Sequence, residues 1–129
     1  MILVDTSVWI AYFRGRDRKL VLHLQSLLED DQIALAVLVK IEILSGSSRR
    51  DWARLRRTLS ALPLLVPSHS TWERMEGWIG EAVANGERFG AADLLVAALA
   101  AERELPVWSL DSDFSRMQKL GFVQLHTPI

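Results

Sequence analysis

Four carboxylates stand in surroundings where a charge needs a reason. They are Asp5 at the end of "MILVD", Glu42 in "VKIEILSG", Asp93 in "FGAADLLVAALA" and Asp111 in "VWSLDSDF", with Asp113 two residues further on. Burying an unpaired carboxylate costs several kcal/mol, so such a group is usually paired or bound to a metal. Each also has an ordinary structural role open to it. Asp5 can cap a following helix, with Thr6 or Ser7 sharing that work, and Asp111 can cap the "SDF" segment. Asp93 can complement a helix dipole from the first turn, and Glu42 can simply be solvated. Three or four carboxylates in one pocket repel, and their proton affinities rise unless a cation neutralises them. The chain has no cysteine, and its histidines, His23, His69 and His126, lie far from these motifs in sequence. An oxygen-rich set of this kind suits Mg²⁺ or Mn²⁺, and a hard divalent ion in an acidic pocket points to phosphate-ester chemistry.

The elements that must position these groups read as an alternation of strands and helices. "MILV" is a continuous apolar run, as in a strand buried on both faces. Leu20 to Glu29 has helical spacing, and Ile33–Ala36 fits either a strand or the start of a helix. Val37, Ile41 and Leu44 form a helical stripe that stops at "SGSS", with Glu42 flanking it. Trp52, Leu55, Leu59 and Leu62 form another, closed by Pro63. "LLVP" reads as a strand ended by proline. A helix is predicted from Trp72 to about Ala84, with Ser70 and Glu73 as its capping box and Asn85-Gly86 as its break. A strongly apolar helix spans about Gly90 to Glu104. "PVWSL" is then a strand, "SDFSRMQKL" a short helix and "GFVQLH" a last strand. Strands separated by helices indicate a parallel sheet with helices on both faces. On such a sheet, functional groups gather at the carboxyl ends of the strands, which puts Asp5, Asp111 and Asp113 on one edge.

The 129 residues suit one domain, half of them apolar, with no internal repeat, low-complexity segment or linker. Net charge is −1, so the overall balance does not announce a nucleic-acid partner. Its distribution does more: of 15 basic residues, four lie in Arg14–Lys19 and five in Arg49–Arg57. Such clusters suit phosphates, although solvated helix faces look the same. The longest apolar stretch, Leu94–Ala101, is far too short to span a bilayer, and Asp5 breaks any signal-peptide pattern. The expected compartment is the cytoplasm.

In order, "LVDTSVWI", "KIEILSG", "FGAADLLVAALA" and "VWSLDSDF" resemble the acidic motifs of PIN-domain ribonucleases, above all the VapC toxins of VapBC toxin–antitoxin modules. The likeness covers almost the whole chain. It implies a single α/β domain over 1–129 of three layers, with a central five-stranded parallel sheet flanked by helices. It implies a Mg²⁺- or Mn²⁺-dependent endoribonuclease. Asp5, Glu42, Asp93 and Asp111 match the family's acidic quartet, with Asp5, Asp93 and Asp111 as metal ligands and Asp113 a further acidic position of lower rank. Thr6 and Ser7 match the polar positions after the first Asp, Ser7 being the better candidate to orient a carboxylate or water. Ser109 stands where the family usually has threonine and keeps the hydroxyl. A VapB-like antitoxin, an RNA substrate and a homodimer are implied too. Arg49, Arg50, Arg54, Arg56 and Arg57 are the candidates for the RNA backbone, and Trp52 and Trp72 for an interface.

Two other readings compete. A phosphatase of the haloacid dehalogenase type wants a second Asp where Ser7 stands, and a lysine that is missing between Asp93 and Asp113. A catalytically silent binding module would be favoured by a missing quartet member, and none is missing.

Overall fold

The computed structural model describes residues 1–128. Its first strand, β1 (Ile2–Val4), is buried throughout, and so is β2 (Ile33–Ala36). That resolves the ambiguous "IALA" run as a strand, since neither face meets water and only a central strand can accept such a sequence. The order after β1 is α1 (Thr6–Arg14), α2 (Arg18–Glu29), β2, α3 (Val37–Ser45), α4 (Trp52–Ser60), β3 (Leu64–Leu65), α5 (His69–Ala84), α6 (Ala91–Glu102), β4 (Val107–Trp108) and α7 (Asp113–Lys119).

The sheet runs β3-β2-β1-β4 with every pair parallel. Leu3 is opposite both Ala34 and Val107, at its centre. The chain therefore steps from β1 outward to β3, then returns across β1 to place β4 on its other side. The boundary between β1 and β4 is the topological switch point, where open parallel sheets form a crevice at their carboxyl ends. Helix α6 has seven consecutive buried residues from Leu94 to Ala100 and packs against α5, α3 and α7.

Among the described residues the sheet has four strands, not five. The expected fifth, "GFVQLH", is reduced to a single parallel bridge between Leu125 and Val107. Gly121, at φ 80, ends α7 in a left-handed turn that suits glycine. Phe122 and Val123 then enter the core instead of running along the sheet, and Phe122 stacks on Trp78 at 4.5 Å between ring centres. Only at Gln124–His126 does the backbone reach β4: Val107 N–H donates to the Gln124 carbonyl, and His126 N–H to the Val107 carbonyl. An Nε2···Nε2 hydrogen bond of 2.9 Å between His23 and His126 ties this segment to α2. Burial and the His23 charge lower the His126 pKa.

Two local expectations are also corrected. The cap of α5 is Ser68, whose N–H donates to Thr71 Oγ1 at 2.9 Å, rather than the Ser70–Glu73 pair; Glu73 pairs instead with His69. In α3 the buried residues are Val39 and Ile43, while Ile41 is 54% exposed. The buried face is centred on Val39 and Ile43, with Leu44 packed beside it as expected, and Glu42 is exposed. Among the described residues no helix is long and apolar enough to cross a membrane.

Candidate functional site

Asp5 occupies the N-cap position of α1, yet its side chain caps nothing. The backbone there does the helix-starting work, the Asp5 carbonyl accepting from Val8 and Trp9 N–H. The carboxylate, 7% exposed, is instead held by two hydroxyls. Ser7 Oγ donates to its Oδ2 at 2.9 Å, and Ser109 Oγ donates to the same oxygen at 2.7 Å. Each hydroxyl is oriented by an amide behind it: Leu110 N–H donates to Ser7, and Asp111 N–H donates to Ser109. Two chains of amide, hydroxyl and carboxylate thus cross the switch point between β1 and β4. They fix one oxygen of Asp5 and leave Oδ1 without a protein donor among the described residues. Charge-assisted bonds of this kind are the strong ones.

Asp93, Asp111 and Asp113 come together, each offering a carboxylate oxygen within 4.8 Å of the others. The means are local. Asp93 is in the first turn of α6, after the extended Gly90. Asp111 accepts the Asp113 N–H on Oδ1 at 2.9 Å, so it also does capping work at the start of α7. Asp113, ranked below the quartet from the sequence, is a full member of this cluster. Asp5 lies outside the 4.8 Å group but close enough for its charge to act on Asp93. The Asp93 pKa is raised to about 7, chiefly by burial, then by the Asp111 charge, a hydrogen bond with Asp113, and the charges of Asp5 and Asp113. An all-oxygen donor set whose charges resist coming together fits a hard divalent cation.

Glu42 stands apart from that cluster. It is exposed on α3 and accepts a hydrogen bond from Thr6 Oγ1 at 3.2 Å, which links it to the start of α1. Thr6 therefore serves Glu42 and Ser7 serves Asp5, one residue apart, because successive helical positions point in different directions.

Glu42 also lies at the wall of a groove of about 770 Å³ lined by Tyr12, Arg14, Ile43, Asp51 and Arg54. Of the five candidate arginines only Arg54 lines it, and Arg54 is partnered with Asp51. Arg56 lies over the Trp52 ring, and Arg49, Arg50 and Arg57 do not line the groove. Arg14, at the end of α1, lines the groove and was not among those candidates.

One further group escaped the sequence reading. Arg116 pairs with Asp113 and with Glu87. The i,i+3 spacing from Asp113 is visible in "DFSR", but the partner 29 residues upstream is not.

Comparisons with known proteins identify the family and the fold. The family model described as PIN domain matches residues 2–120. The chain is 30% identical to the VapC ribonuclease Mb1587 of Mycobacterium bovis, over 96% of each chain. It is 29% identical to ribonuclease VapC5 of Mycobacterium tuberculosis, over 95% of this chain and 92% of the other. In fold it is similar to a toxin–antitoxin complex from Klebsiella pneumoniae, with a TM-score of 0.78, 22% identity, and 100% and 98% of the two chains covered. It is similar also to FitAB bound to an IR36 DNA fragment, with a TM-score of 0.82, 20% identity, and 99% and 95% covered.

Proposed function

This chain belongs to the PIN-domain family, and from that premise we propose that it is a divalent-metal-dependent endoribonuclease toxin of the VapC kind, restrained by a cognate antitoxin. The observation that carries the reading is the convergence at the switch point: Asp93, Asp111 and Asp113 within 4.8 Å, beside an Asp5 fixed by two hydroxyls. Structural ion pairs alone do not call for three carboxylates to converge, with Arg116 paired to Asp113 among the described residues.

In this reading Asp93, Asp111 and Asp113 hold Mg²⁺ or Mn²⁺, with the free oxygen of Asp5 completing the site. The ion, when bound, would supply positive charge at the phosphate and the leaving oxygen and would lower the pKa of water. The protein's residues do the rest. Ser7 and Ser109 hold Asp5 in one orientation, Asp111 is pinned by the Asp113 amide, and Glu42, joined to the start of α1 through Thr6, would border the site from the groove side. Arg14 and Arg54 line the groove and would contact the RNA backbone there, a narrower basic contact than the five arginines of the second cluster. The expected products carry a 5′-phosphate and a 3′-hydroxyl. Because the chemistry does not use the 2′-hydroxyl, the choice of RNA rests on shape and contacts. The names of the similar proteins, VapC ribonucleases and toxin–antitoxin complexes, support both the activity and the antitoxin partner.

The test is cleavage of a mixed RNA pool by wild type and Asp93→Asn, with Mg²⁺ or Mn²⁺ and then with EDTA. Metal-dependent cutting that falls at least a hundredfold in the variant is expected. Absence of cutting by wild type, together with no rise in melting temperature on adding either ion, would leave a catalytically silent binding module instead.

A further inference from the structure

Arg116 stands against the acidic cluster from its outer side. One arm of its guanidinium donates to Asp113 Oδ1 and the other to Glu87 Oε2. The guanidinium carbon lies 4.8 Å from the centre of the Phe89 ring. Glu87 and Phe89 belong to the segment that runs into Gly90, the N-cap of α6, and Asp93 follows in the first turn. Arg116 therefore joins the two pieces of chain that carry the cluster. One is the start of α7, with Asp113 and, through the Asp113 amide, Asp111; the other is the lead into α6, with Asp93. The side chains of Arg116, Glu87 and Asp113 are 36%, 29% and 30% exposed, so the pairs are partly withdrawn from solvent, and a planar fork holding two carboxylates is a task only arginine performs.

We propose that Arg116 is a positioning residue for the divalent-cation site, holding Asp113 and the lead into α6 so that three mutually repelling carboxylates stay convergent. The inference rests on the metal-dependent reading above. A physical contrast makes it decidable, because the two alternatives have opposite signs. A guanidinium that merely sits beside an acidic pocket repels an incoming cation, so removing it leaves binding unchanged or tighter. A guanidinium that holds a ligand in place weakens binding when removed, typically by about 10–100-fold for a partner behind a metal ligand.

The experiment is a Mn²⁺ titration of the whole chain, following free Mn²⁺ by electron paramagnetic resonance, with thermal melting as a check on folding. Arg116→Ala is expected to raise the Mn²⁺ Kd about tenfold or more. Arg116→Lys, with one point charge for two carboxylates, should recover part of the loss. Glu87→Gln should show a smaller loss, since it leaves the bond to Asp113. Because Arg116 acts through Asp113, the double variant Asp113→Ala/Arg116→Ala should bind hardly more weakly than Asp113→Ala alone. Mn²⁺ binding by Arg116→Ala as tight as wild type, or tighter, overturns the inference, as do losses that add in full in the double variant. If Arg116→Ala does not melt cooperatively, Glu87→Gln decides, and an unchanged Kd there overturns it. Wild type that takes up no Mn²⁺ sinks the metal-dependent reading itself, a result distinct from wild type binding and Arg116→Ala binding equally well.

Discussion

Asp93 is the residue on which charge and stability meet. Its pKa of about 7 lies above the ordinary 3.8, so the folded chain binds more protons than the unfolded one between those values. The stability this group contributes is full below about pH 4 and is lost as pH rises through about 7. In the metal-free protein the melting temperature should therefore fall from about pH 5 to pH 7.5. Asp93→Asn should flatten that fall and raise the metal-free melting temperature by a few degrees at the upper end, the gain being limited by solvent screening of a partly exposed group. Mg²⁺ should stabilise wild type more at about pH 7.5 than at pH 5.5, since binding must displace the proton at low pH. Calorimetry across that range, with and without the ion, checks all three. The hydroxyls around Asp5 make a second case at this scale. Ser109→Ala removes a donor from Asp5 and an acceptor from the Asp111 amide, and should cost about tenfold or more in kcat/KM. Ser109→Thr keeps the hydroxyl and should stay within a few-fold of wild type. A kcat/KM in Ser109→Ala equal to that of wild type would remove Ser109 from the machinery.

Among the elements, α1 does more than its sequence announced. Its first two residues divide their hydroxyls between Glu42 and Asp5, and its last, Arg14, borders the groove. The corrections at this scale share one cause. Periodicity gives the existence of a helix but not its rotation, and in a segment as apolar as "VLVKIEIL" more than one stripe can be drawn. Packing of α3 against β2, α1 and α6 chose Val39 and Ile43, and so sent Glu42 to the surface. In α5 the cap moved to Ser68 because a helix begins where a hydroxyl meets the free amides, and "SHST" offers three hydroxyls within one turn. Helix α5 also bears an apolar face that its own domain leaves partly uncovered: Trp72, Ile79 and Val83 are each about half exposed. Their spacing of seven and four residues puts them on one side of the helix. If the homodimer implied by the family resemblance forms through this face, the paired change Ile79→Glu/Val83→Glu should yield monomers by light scattering without lowering the melting temperature of the monomer fold. A dimer that survives the change would place the contact elsewhere.

At the scale of the whole molecule, one sheet with β1 at its switch point brings together groups from opposite ends of the chain: Asp5 and Ser7 from its start, Asp93, Ser109, Asp111 and Asp113 from its last third. The acidic motifs, their order and the α/β alternation were legible without coordinates, because each depends on local pattern: an apolar strand that stops at a charge, an aspartate in an almost wholly apolar helix, a serine two residues before an aspartate. Which carboxylates meet was legible for Asp93 and Asp111 but not for Asp113. Asp113 joins Asp93 and Asp111 because the turn at Asp111 folds its amide onto the Asp111 carboxylate, whereas Glu42 remains outside, joined only through Thr6. The pairing of Arg116 with Glu87, and the reduction of the last strand to one bridge at Leu125, likewise depend on how α5, α6 and the segment after α7 pack. Sequence alone determined the chemistry available and the end of the sheet that would carry it, since residue type and periodicity are local properties. Tertiary structure alone decided the membership of the site, because convergence within a few ångströms is set by long-range packing, to which spacing along the chain is blind.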